Sequence, residues 1–287
     1  MRTRHFSALP KAYTVYPKVI QSLIQKPKNT EKVLPRVEYV VDQLEINVPH
    51  LTQYNRICQF KNDGTVPAMY LAVLAQSLQM HMMTSESFPF VLLGLVHIRN
   101  KIKQYRVIQA AETIQLACKF GELQPHDKGL QFDFIITAKI GNEVVFEGLT
   151  TYLSRQKVDK KVSTEKTKGG DPVVDYQLQD TWTLAENTGR RYALISGDFN
   201  LIHIHALTAK AFGFKQAIAH GMWSKARALA ALSPLPAAYE ADVVFKLPIF
   251  LPSQVEFLTA QVDTTTDFLL RNAKNHKPHL SGEVKTL

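Results

Sequence analysis

Two side chains that can move protons lie five residues apart in the second half of the sequence. Asp198 and His203 stand within the stretch SGDFNLIH, residues 196–203. Gly197 permits a tight backbone turn there, and Asn200 can hydrogen-bond neighbouring backbone groups. A carboxylate and an imidazole on one short loop can converge on a single water molecule. The spacing therefore suits acid–base chemistry on water, while a turn aspartate and a buried core histidine are the structural alternatives.

A glycine at the start of a predicted helix completes this set. Gly221 opens the stretch GMWSKARALAAL, residues 221–232, which ends before Ser-Pro. The first N–H groups of a helix have no partner inside it and point outward at the positive end of the helix dipole. Such donors stabilise negative charge that builds on an oxygen. Together with Asp198 and His203, they suit the addition of water next to a thioester.

The elements around these residues follow one order twice. A helix predicted at 66–83 is followed by four β-rich runs, and the helix at 221–232 is followed by four more. We predict one or two strands ahead of each helix, with YNRICQF at 54–60 and YQLQDTWTL at 176–184 as the candidates. A single long helix on an antiparallel sheet is an α+β architecture.

A polar, charged stretch separates the two repeats. Residues 154–172 end in Gly-Gly-Asp-Pro and have the composition of a linker. This predicts a first unit at 1–153, which lacks a motif like SGDFNLIH, and a second unit at 173–287, which contains it.

The composition narrows the function classes. The formal charge is +9, but the excess lies in residues 1–38 and 153–170, so we predict solvated segments rather than a nucleic-acid surface. These basic segments can alternatively meet an anionic partner, such as nucleotide phosphates or an acidic carrier protein. The chain has two distant cysteines and no apparent signal or membrane-spanning segment, which predicts a cytoplasmic protein without disulfides.

The pattern around the loop resembles a known family. Tyr-x-x-x-Ser-Gly-Asp-Phe-Asn-x-Ile-His at 192–203, followed by Gly-Phe and by Ile-Ala-His-Gly-Met at 218–222, resembles the MaoC-like hydratase/dehydratase family. The resemblance implies a double hot-dog fold, in which a curved antiparallel sheet wraps each of two long central helices. It also implies a hydro-lyase of fatty-acid metabolism that reversibly hydrates 2-enoyl thioesters and dehydrates (R)-3-hydroxyacyl thioesters.

The same resemblance assigns roles to individual residues. Asp198 and His203 correspond to the catalytic pair, and Gly221 corresponds to the glycine that supplies an oxyanion N–H. The supporting residues are Asn200, Ser196 and Gly197. The further substrate-binding residues are His220 and Met222. Leu201 departs from the family pattern, which usually has proline there, and a looser loop is the expected effect. The resemblance implies no metal and no cofactor other than the coenzyme A or acyl carrier protein that carries the acyl group.

Several alternatives stay open at this point. His203, His205 and His220 could be ligands of a metal ion. A hot-dog thioesterase is a second possibility, although both predicted helices lack the Asp or Glu that many thioesterases use. A catalytically weak acyl-thioester-binding protein is a third. Met80, Met82 and Met83 are either core residues or the lining of an acyl channel. A homodimer is possible.

Overall fold

The computed structural model describes residues 1–19, 32–156 and 174–287. Most of the predicted linker at 154–172 lies outside the described residues. The boundaries predicted for the two units, 1–153 and 173–287, therefore stay a prediction.

The described residues contain five α-helices whose two ends are both described and eleven β-strands, besides helical residues at 16–19 and three short 3-10 turns. The helices are α1 (Val48–Cys58), α2 (Ala68–Met83), α3 (Thr188–Ser196), α4 (Ala206–Ala211) and α5 (Gly221–Ala231). The strands before the undescribed stretch 157–173 are β1 (Arg2–Phe6), β2 (Val37–Leu44), β3 (Leu95–Gln104), β4 (Ile114–His126), β5 (Gly129–Ile140) and β6 (Glu143–Arg155). Those after it are β7 (Gln177–Leu184), β8 (Tyr239–Phe245), β9 (Ser253–Val262), β10 (Thr265–Asn272) and β11 (Pro278–Thr286).

All eleven strands belong to one sheet with an internal repeat. Its order is β1-β2-β4-β5-β6-β3-β8-β11-β10-β9-β7. Numbered along the chain, the first group (β2–β6) and the second group (β7–β11) share the spatial order one, three, four, five, two. The two groups meet edge to edge, where β3 pairs antiparallel with β8. The predicted α+β architecture is confirmed, as is the order of one helix and four strands in each repeat.

The two long helices lie at the centre of a shared core. Helix α2 is buried on most sides, and α5 buries residues from Met222 to Leu229. Side chains from both helices and both strand groups form one continuous hydrophobic cluster. Both cysteines are buried and unpaired. In the described ranges, no helix combines the length and the apolar character that a membrane crossing requires.

One predicted strand is wrong. Residues 54–60 fall in the second half of helix α1 and the residues just after it, and the strand that precedes α2 is β2. Leu51, Tyr54 and Cys58 are buried at intervals of three and four residues, which is helical periodicity. The side chain of Asn47 caps the helix start by accepting from the N–H of His50 at 3.0 Å. The repeated order of elements predicts a strand ahead of the helix, but the helical spacing decides the conformation of this segment.

A buried lysine joins the two strand groups. Lys225 on α5 is fully buried beneath the β3–β8 junction. Its Nζ donates to the backbone oxygen and the side-chain Oδ1 of Asn100 on β3, both at 2.7 Å. It also donates to the backbone oxygen of Ala241 on β8 at 3.0 Å. One side chain thus satisfies three buried acceptors that belong to both groups.

This arrangement predicts a large effect on stability when the lysine is replaced. Lys225→Met keeps much of the side-chain volume but leaves these acceptors without their donor. We expect the free energy of unfolding to fall by about 3 kcal/mol or more, measured by urea denaturation. As the control, Lys285→Met removes an exposed lysine that pairs with Glu283, and its effect should stay within about 0.5 kcal/mol. Equal stability of both variants would contradict the role of Lys225.

Candidate active site

The loop that carries Asp198 is shaped by short side chains. Helix α3 ends at Ser196, and Gly197 adopts the left-handed conformation with φ 73°. The N–H of Asp198 donates to Ser196 Oγ at 3.2 Å, and the N–H of Asn200 donates to Asp198 Oδ1 at 3.2 Å. Asn200 Oδ1 accepts from the N–H of Ile202 at 3.4 Å. Ser196, Gly197 and Asn200, predicted as supporting residues, therefore determine the path of the chain from Asp198 towards His203.

His203 ends a short 3-10 turn, Leu201–His203, and is buried. Its Nδ1 donates to the backbone oxygen of Ile218 at 2.8 Å. This hydrogen bond assigns the proton to Nδ1 in the neutral ring and leaves a lone pair on Nε2. His203 is thereby oriented by the segment that leads into helix α5.

Leu201 keeps this turn without the proline that is usual in the family. Leu201 is the first residue of the turn. Proline is favoured at such a position because the backbone N–H there has no partner inside the helix, so its loss costs little. Its carbonyl oxygen accepts from Thr208 Oγ1 at 2.7 Å. The preceding Asn200 caps the turn, so these hydrogen bonds hold a conformation that proline would otherwise favour.

Asp198 and His203 meet a second histidine in space. One ring nitrogen of His203, one of His220 and a carboxylate oxygen of Asp198 lie within 4.8 Å of one another. The two rings stack with centroids 3.7 Å apart. His220 Nε2 donates to the backbone oxygen of Asp198 at 3.0 Å and lies 3.9 Å from its Oδ2. The acid and base predicted from the sequence are thus brought together. His220, the residue before α5, is hydrogen-bonded to the loop.

Burial and mutual charge set the protonation of the three groups. Burial favours the neutral acid at Asp198, but His220 and His203 outweigh it and hold the pKa of the carboxyl below its usual value. Burial lowers the pKa of His203, although Asp198 partly offsets this. Burial and the neighbouring His203 lower the pKa of His220 to about 3. At neutral pH the site therefore holds a carboxylate beside two neutral imidazoles.

A small cavity of about 70 Å³ opens beside Asp198, whose side chain is 24% exposed. Asp198 and Asn200 are its lining residues from the second repeat. The rest of the lining comes from the first half of the chain and is mainly apolar: Tyr16, Val19, Gln76, Met80, Met83, Leu92, Leu95 and Tyr152. The carboxylate of Asp198, from one half of the chain, thus faces a largely apolar wall from the other half.

One face of helix α2 forms much of this wall. Gln76, Met80 and Met83 follow one another at intervals of four and three residues and so share a face. The side chain of Gln76 hydrogen-bonds Asp198 and helps to lower the pKa of its carboxyl. Met80 and Met83 line the cavity, as the channel interpretation expects, whereas Met82 is fully buried and does not line it.

Tyr16 brackets the catalytic loop from the N-terminal segment. Its hydroxyl donates to the backbone oxygen of Gly197 at 3.1 Å and accepts from the N–H of Phe199. These two backbone groups lie immediately before and after Asp198. Tyr16 also lines the cavity, so a single side chain contacts both the loop and the space in front of it.

The start of helix α5 is where the sequence predicts it, next to the loop. His220 precedes it and contacts Asp198, but neither Gly221 nor Met222 lines the cavity. A Cβ at position 221 would lie 3.0 Å from the ring of Phe245, so close packing against β8 favours glycine here. The predicted oxyanion role of Gly221 and the substrate-binding role of Met222 stay predictions.

The donor set of the metal alternative changes in the structure. His205 is the N-cap of α4, where its Nδ1 accepts from the N–H of Leu207 at 3.1 Å. The donors that converge are instead those of Asp198, His203 and His220. These three could hold an ion, although one ring nitrogen of each histidine already donates to a backbone oxygen.

Sequence reasoning missed three residues of the site. Gln76 had a usable signal, since a polar residue interrupts the apolar run of helix α2. Gly189 lies in the first turn of α3, where a Cβ would come within 2.2 Å of the carbonyl oxygen of His203. Neither Gly189 nor Tyr16 has a local sequence feature that points to the loop, because their contacts exist only in the folded chain.

Comparisons with known proteins find similar sequences and similar structures. Residues 168–279 match the family described as MaoC like domain. The 3-hydroxyacyl-thioester dehydratase X of Mycobacterium tuberculosis is 29% identical over 283 residues, which cover 94% of this chain and 99% of that protein. A crystal structure of HtdX from M. tuberculosis has a TM-score of 0.74 at 30% identity, and the match covers 86% of this chain and 99% of that chain.

A more distant structure adds evidence on the fold. A protein of M. tuberculosis that has a double hot-dog fold matches with a TM-score of 0.58 at 8% identity, over 86% of this chain and 95% of that chain. At this identity the likeness concerns the fold alone. The double hot-dog prediction is confirmed by these matches and by the repeated strand order, and the chain belongs to the MaoC-like hydratase/dehydratase family.

Proposed function

We propose that this protein is a hydro-lyase that reversibly hydrates 2-enoyl thioesters and dehydrates (R)-3-hydroxyacyl thioesters. The observation that carries the proposal is the convergence of the Asp198 carboxylate and the imidazole of His203 at an apolar cavity. The M. tuberculosis relative named a 3-hydroxyacyl-thioester dehydratase supports it. Coenzyme A or acyl carrier protein would carry the acyl group, with no metal or further cofactor.

The geometry suits the addition of water across a conjugated double bond. A water molecule held between Asp198 and His203 attacks C3, one of its protons is taken up by the pair, and a proton is delivered to C2. The intermediate carries negative charge on the thioester oxygen, and the N-terminus of α5 at Gly221 is our candidate to stabilise it. The pair acts as a unit, and we assign no order of proton transfer within it.

The alternatives lack comparable support. Neither α2 nor α5 contains an Asp or Glu, so a thioesterase that uses a helix carboxylate has no such group here. The side chain that α2 directs to the loop is the amide of Gln76. A weak acyl-binding protein would have no need for Asp198, His203 and their hydrogen-bonded supports. The predicted homodimer, carrier-protein partner and cytoplasmic location stay predictions.

The acid–base pair gives the first test of the function. Asp198→Asn and His203→Ala should each lower kcat for hydration of crotonyl-CoA at least about a hundredfold. The loss of absorbance of the conjugated thioester measures this rate. Because the pKa of His203 is lowered, its ring stays neutral even at pH values below about 6.5, the ordinary pKa of histidine. Activity should therefore decline only at more acidic pH. Near-normal kcat in either folded variant would refute the assignment.

Two controls separate this mechanism from metal chemistry. His205→Ala changes a neighbouring exposed histidine that caps α4, and activity should be retained. Dialysis against a strong chelator should also leave activity unchanged, because side chains activate the water. A loss of activity that zinc restores would favour an ion held by Asp198, His203 and His220.

Tyr16 allows a test of loop positioning. Tyr16→Phe removes the two hydrogen bonds that bracket Asp198 but keeps the ring in the cavity wall. We expect kcat for crotonyl-CoA to fall about tenfold, with KM changed less than about twofold, because misplaced catalytic groups slow the chemical step. Thr14→Val is the matched control, since its hydroxyl donates to Lys11 in the same segment without contacting the loop. Equal kcat values for both variants would argue against positioning.

The methionine face allows a test of acyl selectivity. The cavity of about 70 Å³ is much smaller than the roughly 300–1,000 Å³ of ordinary ligand pockets, so long acyl chains require the wall to open. Met80→Ala and Met83→Ala should raise kcat/KM for dodecenoyl-CoA relative to crotonyl-CoA at least about threefold, by enlarging the cavity. Ala75 on the same helix is fully buried and does not line the cavity, so it is not a position for this test.

Met82→Ala is the control for this experiment. Met82 is fully buried in the same helix but does not line the cavity. Its truncation should lower stability and leave the ratio of long-chain to short-chain activity unchanged. If Met82→Ala shifts the ratio as much as the other two variants, general loosening of the core explains the selectivity.

A further inference from the structure

Three exposed leucines lie around the catalytic loop, where the reaction proposed above gives them no role. Leu194 on α3 is 70% exposed and Leu207 on α4 is 69% exposed. Leu201, which stands where the family usually has proline, is 38% exposed. None of the three lines the cavity beside Asp198. Large apolar side chains that protrude into solvent at neighbouring positions mark an interaction surface.

The packing of α3, the turn 201–203 and α4 places these leucines on neighbouring elements. The carbonyl oxygen of Leu201 accepts from Thr208 Oγ1 at 2.7 Å, and Leu207 is next to Thr208 in α4. Helix α3 adjoins the same segment, because the guanidinium of Arg190 donates to the backbone oxygen of Ile204 at 3.4 Å. The three elements therefore form a continuous surface beside the catalytic loop.

Each of the two helices presents a cation together with its leucine. Arg190 and Leu194 are four residues apart on α3, and Leu207 and Lys210 are three residues apart on α4, so each pair shares a helix face. Arg190 and Lys210 are exposed, as is Lys215 shortly after α4. Together these side chains form a basic leucine face: Leu194, Leu201, Leu207, Arg190, Lys210 and Lys215.

Acidic residues are nearly absent from the part of the chain that forms this face. Between Glu186 and Glu240, Asp198 is the only Asp or Glu. Its carboxylate lines the cavity and lies beside His203 and His220. The cations of the basic leucine face therefore have no exposed carboxylate from their own segment to balance them. A surface of this kind attracts a partner of negative charge.

The charge and the shape of the face favour a lipid surface as its partner. A second copy of the chain, related by a two-fold axis, would bring the same cations of both copies together, and like charges repel. Leucines as exposed as Leu194 and Leu207 protrude from the surface. A bilayer takes up protruding apolar side chains among its acyl chains and presents phosphate groups to the cations beside them.

We propose that the basic leucine face docks this protein on membrane surfaces that contain anionic lipids. The leucines enter the boundary between headgroups and acyl chains, while Arg190, Lys210 and Lys215 extend to the lipid phosphates. The exposed side chain of Leu201 thereby takes part in the contact. Docking uses none of the catalytic groups, so the inference goes beyond the proposed reaction and does not depend on it.

Co-sedimentation of the full chain with lipid vesicles tests this proposal without turnover. We expect binding to vesicles of phosphatidylcholine and phosphatidylglycerol in equal parts, and little binding to phosphatidylcholine alone. Binding should be lost in about 1 M NaCl, where the screening length is about 3 Å. Leu207→Gln and Lys210→Gln should each lower the partition coefficient on the mixed vesicles about fivefold, through the loss of apolar contact and of charge attraction, respectively.

Two exposed residues outside the face provide matched controls. Leu178 on β7 is 55% exposed, and Lys128 is exposed in the turn between β4 and β5. Leu178→Gln and Lys128→Gln should leave the partition coefficient unchanged. All four variants change exposed side chains, and equal midpoints of urea unfolding would verify that each remains folded.

Several results would overturn the proposal. The first is an absence of binding to the mixed vesicles. The second is an equal loss of binding in the control variants, because net charge and hydrophobicity would then act without a specific face. Without vesicle binding, a dimer that Leu207→Gln dissociates would assign the face to a second copy of the chain. An acidic carrier protein that binds the unmodified chain but not Lys210→Gln would instead assign it to a protein partner.

Discussion

The edge-to-edge pairing of β3 with β8 is the constraint on which the rest of the molecule depends. It joins two strand groups into one sheet, and Lys225 reinforces it from the helix side by donating to carbonyl oxygens on both strands. Asp198 and His203 belong to one half of the chain, while most of the cavity wall belongs to the other. The wall and the acid–base pair face each other only while the two halves remain docked at this junction.

Within the site, the protonation states of Asp198 and the two histidines depend on their burial and on the positions of their hydrogen-bond partners. Burial alone would favour a neutral carboxyl at Asp198, but two histidines and several hydrogen bonds favour the carboxylate. Each histidine donates from one ring nitrogen to a backbone oxygen, which leaves the other nitrogen without a proton in the neutral ring. The same hydrogen bonds that orient the rings therefore also determine which atoms are available for proton transfer.

The first repeat has the same architecture as the second without its chemistry. Helix α1 ends at Cys58 and is followed by Gln59 in the left-handed conformation, as α3 ends before Gly197. Phe60 then stands one residue after the helix cap, where the second repeat has Asp198. The first repeat instead contributes the face of α2 that lines the cavity. One repeat thus supplies the reactive groups and the other supplies their apolar surroundings.

Local patterns in the sequence predicted much of the fold and of the site. The spacing of Asp198 and His203, the helix start at Gly221 and the repeated order of helix and strands are all short-range features. Short-range interactions shape them, since loop hydrogen bonds and helical periodicity act within a few residues. The same reasoning failed at 54–60, where the repeated order of elements predicted a strand and the buried spacing of α1 produced a helix.

Only the tertiary structure decided which distant residues complete the site. Tyr16 lies far along the chain from the backbone groups that it bonds on either side of Asp198, and Gln76 reaches the same residue from the other repeat. Gly189 is required by the approach of α3 to the backbone of His203. The contacts of Tyr16 and Gln76 arise from the docking of the first half of the chain against the second. That docking is a long-range packing outcome, which no short window of sequence contains.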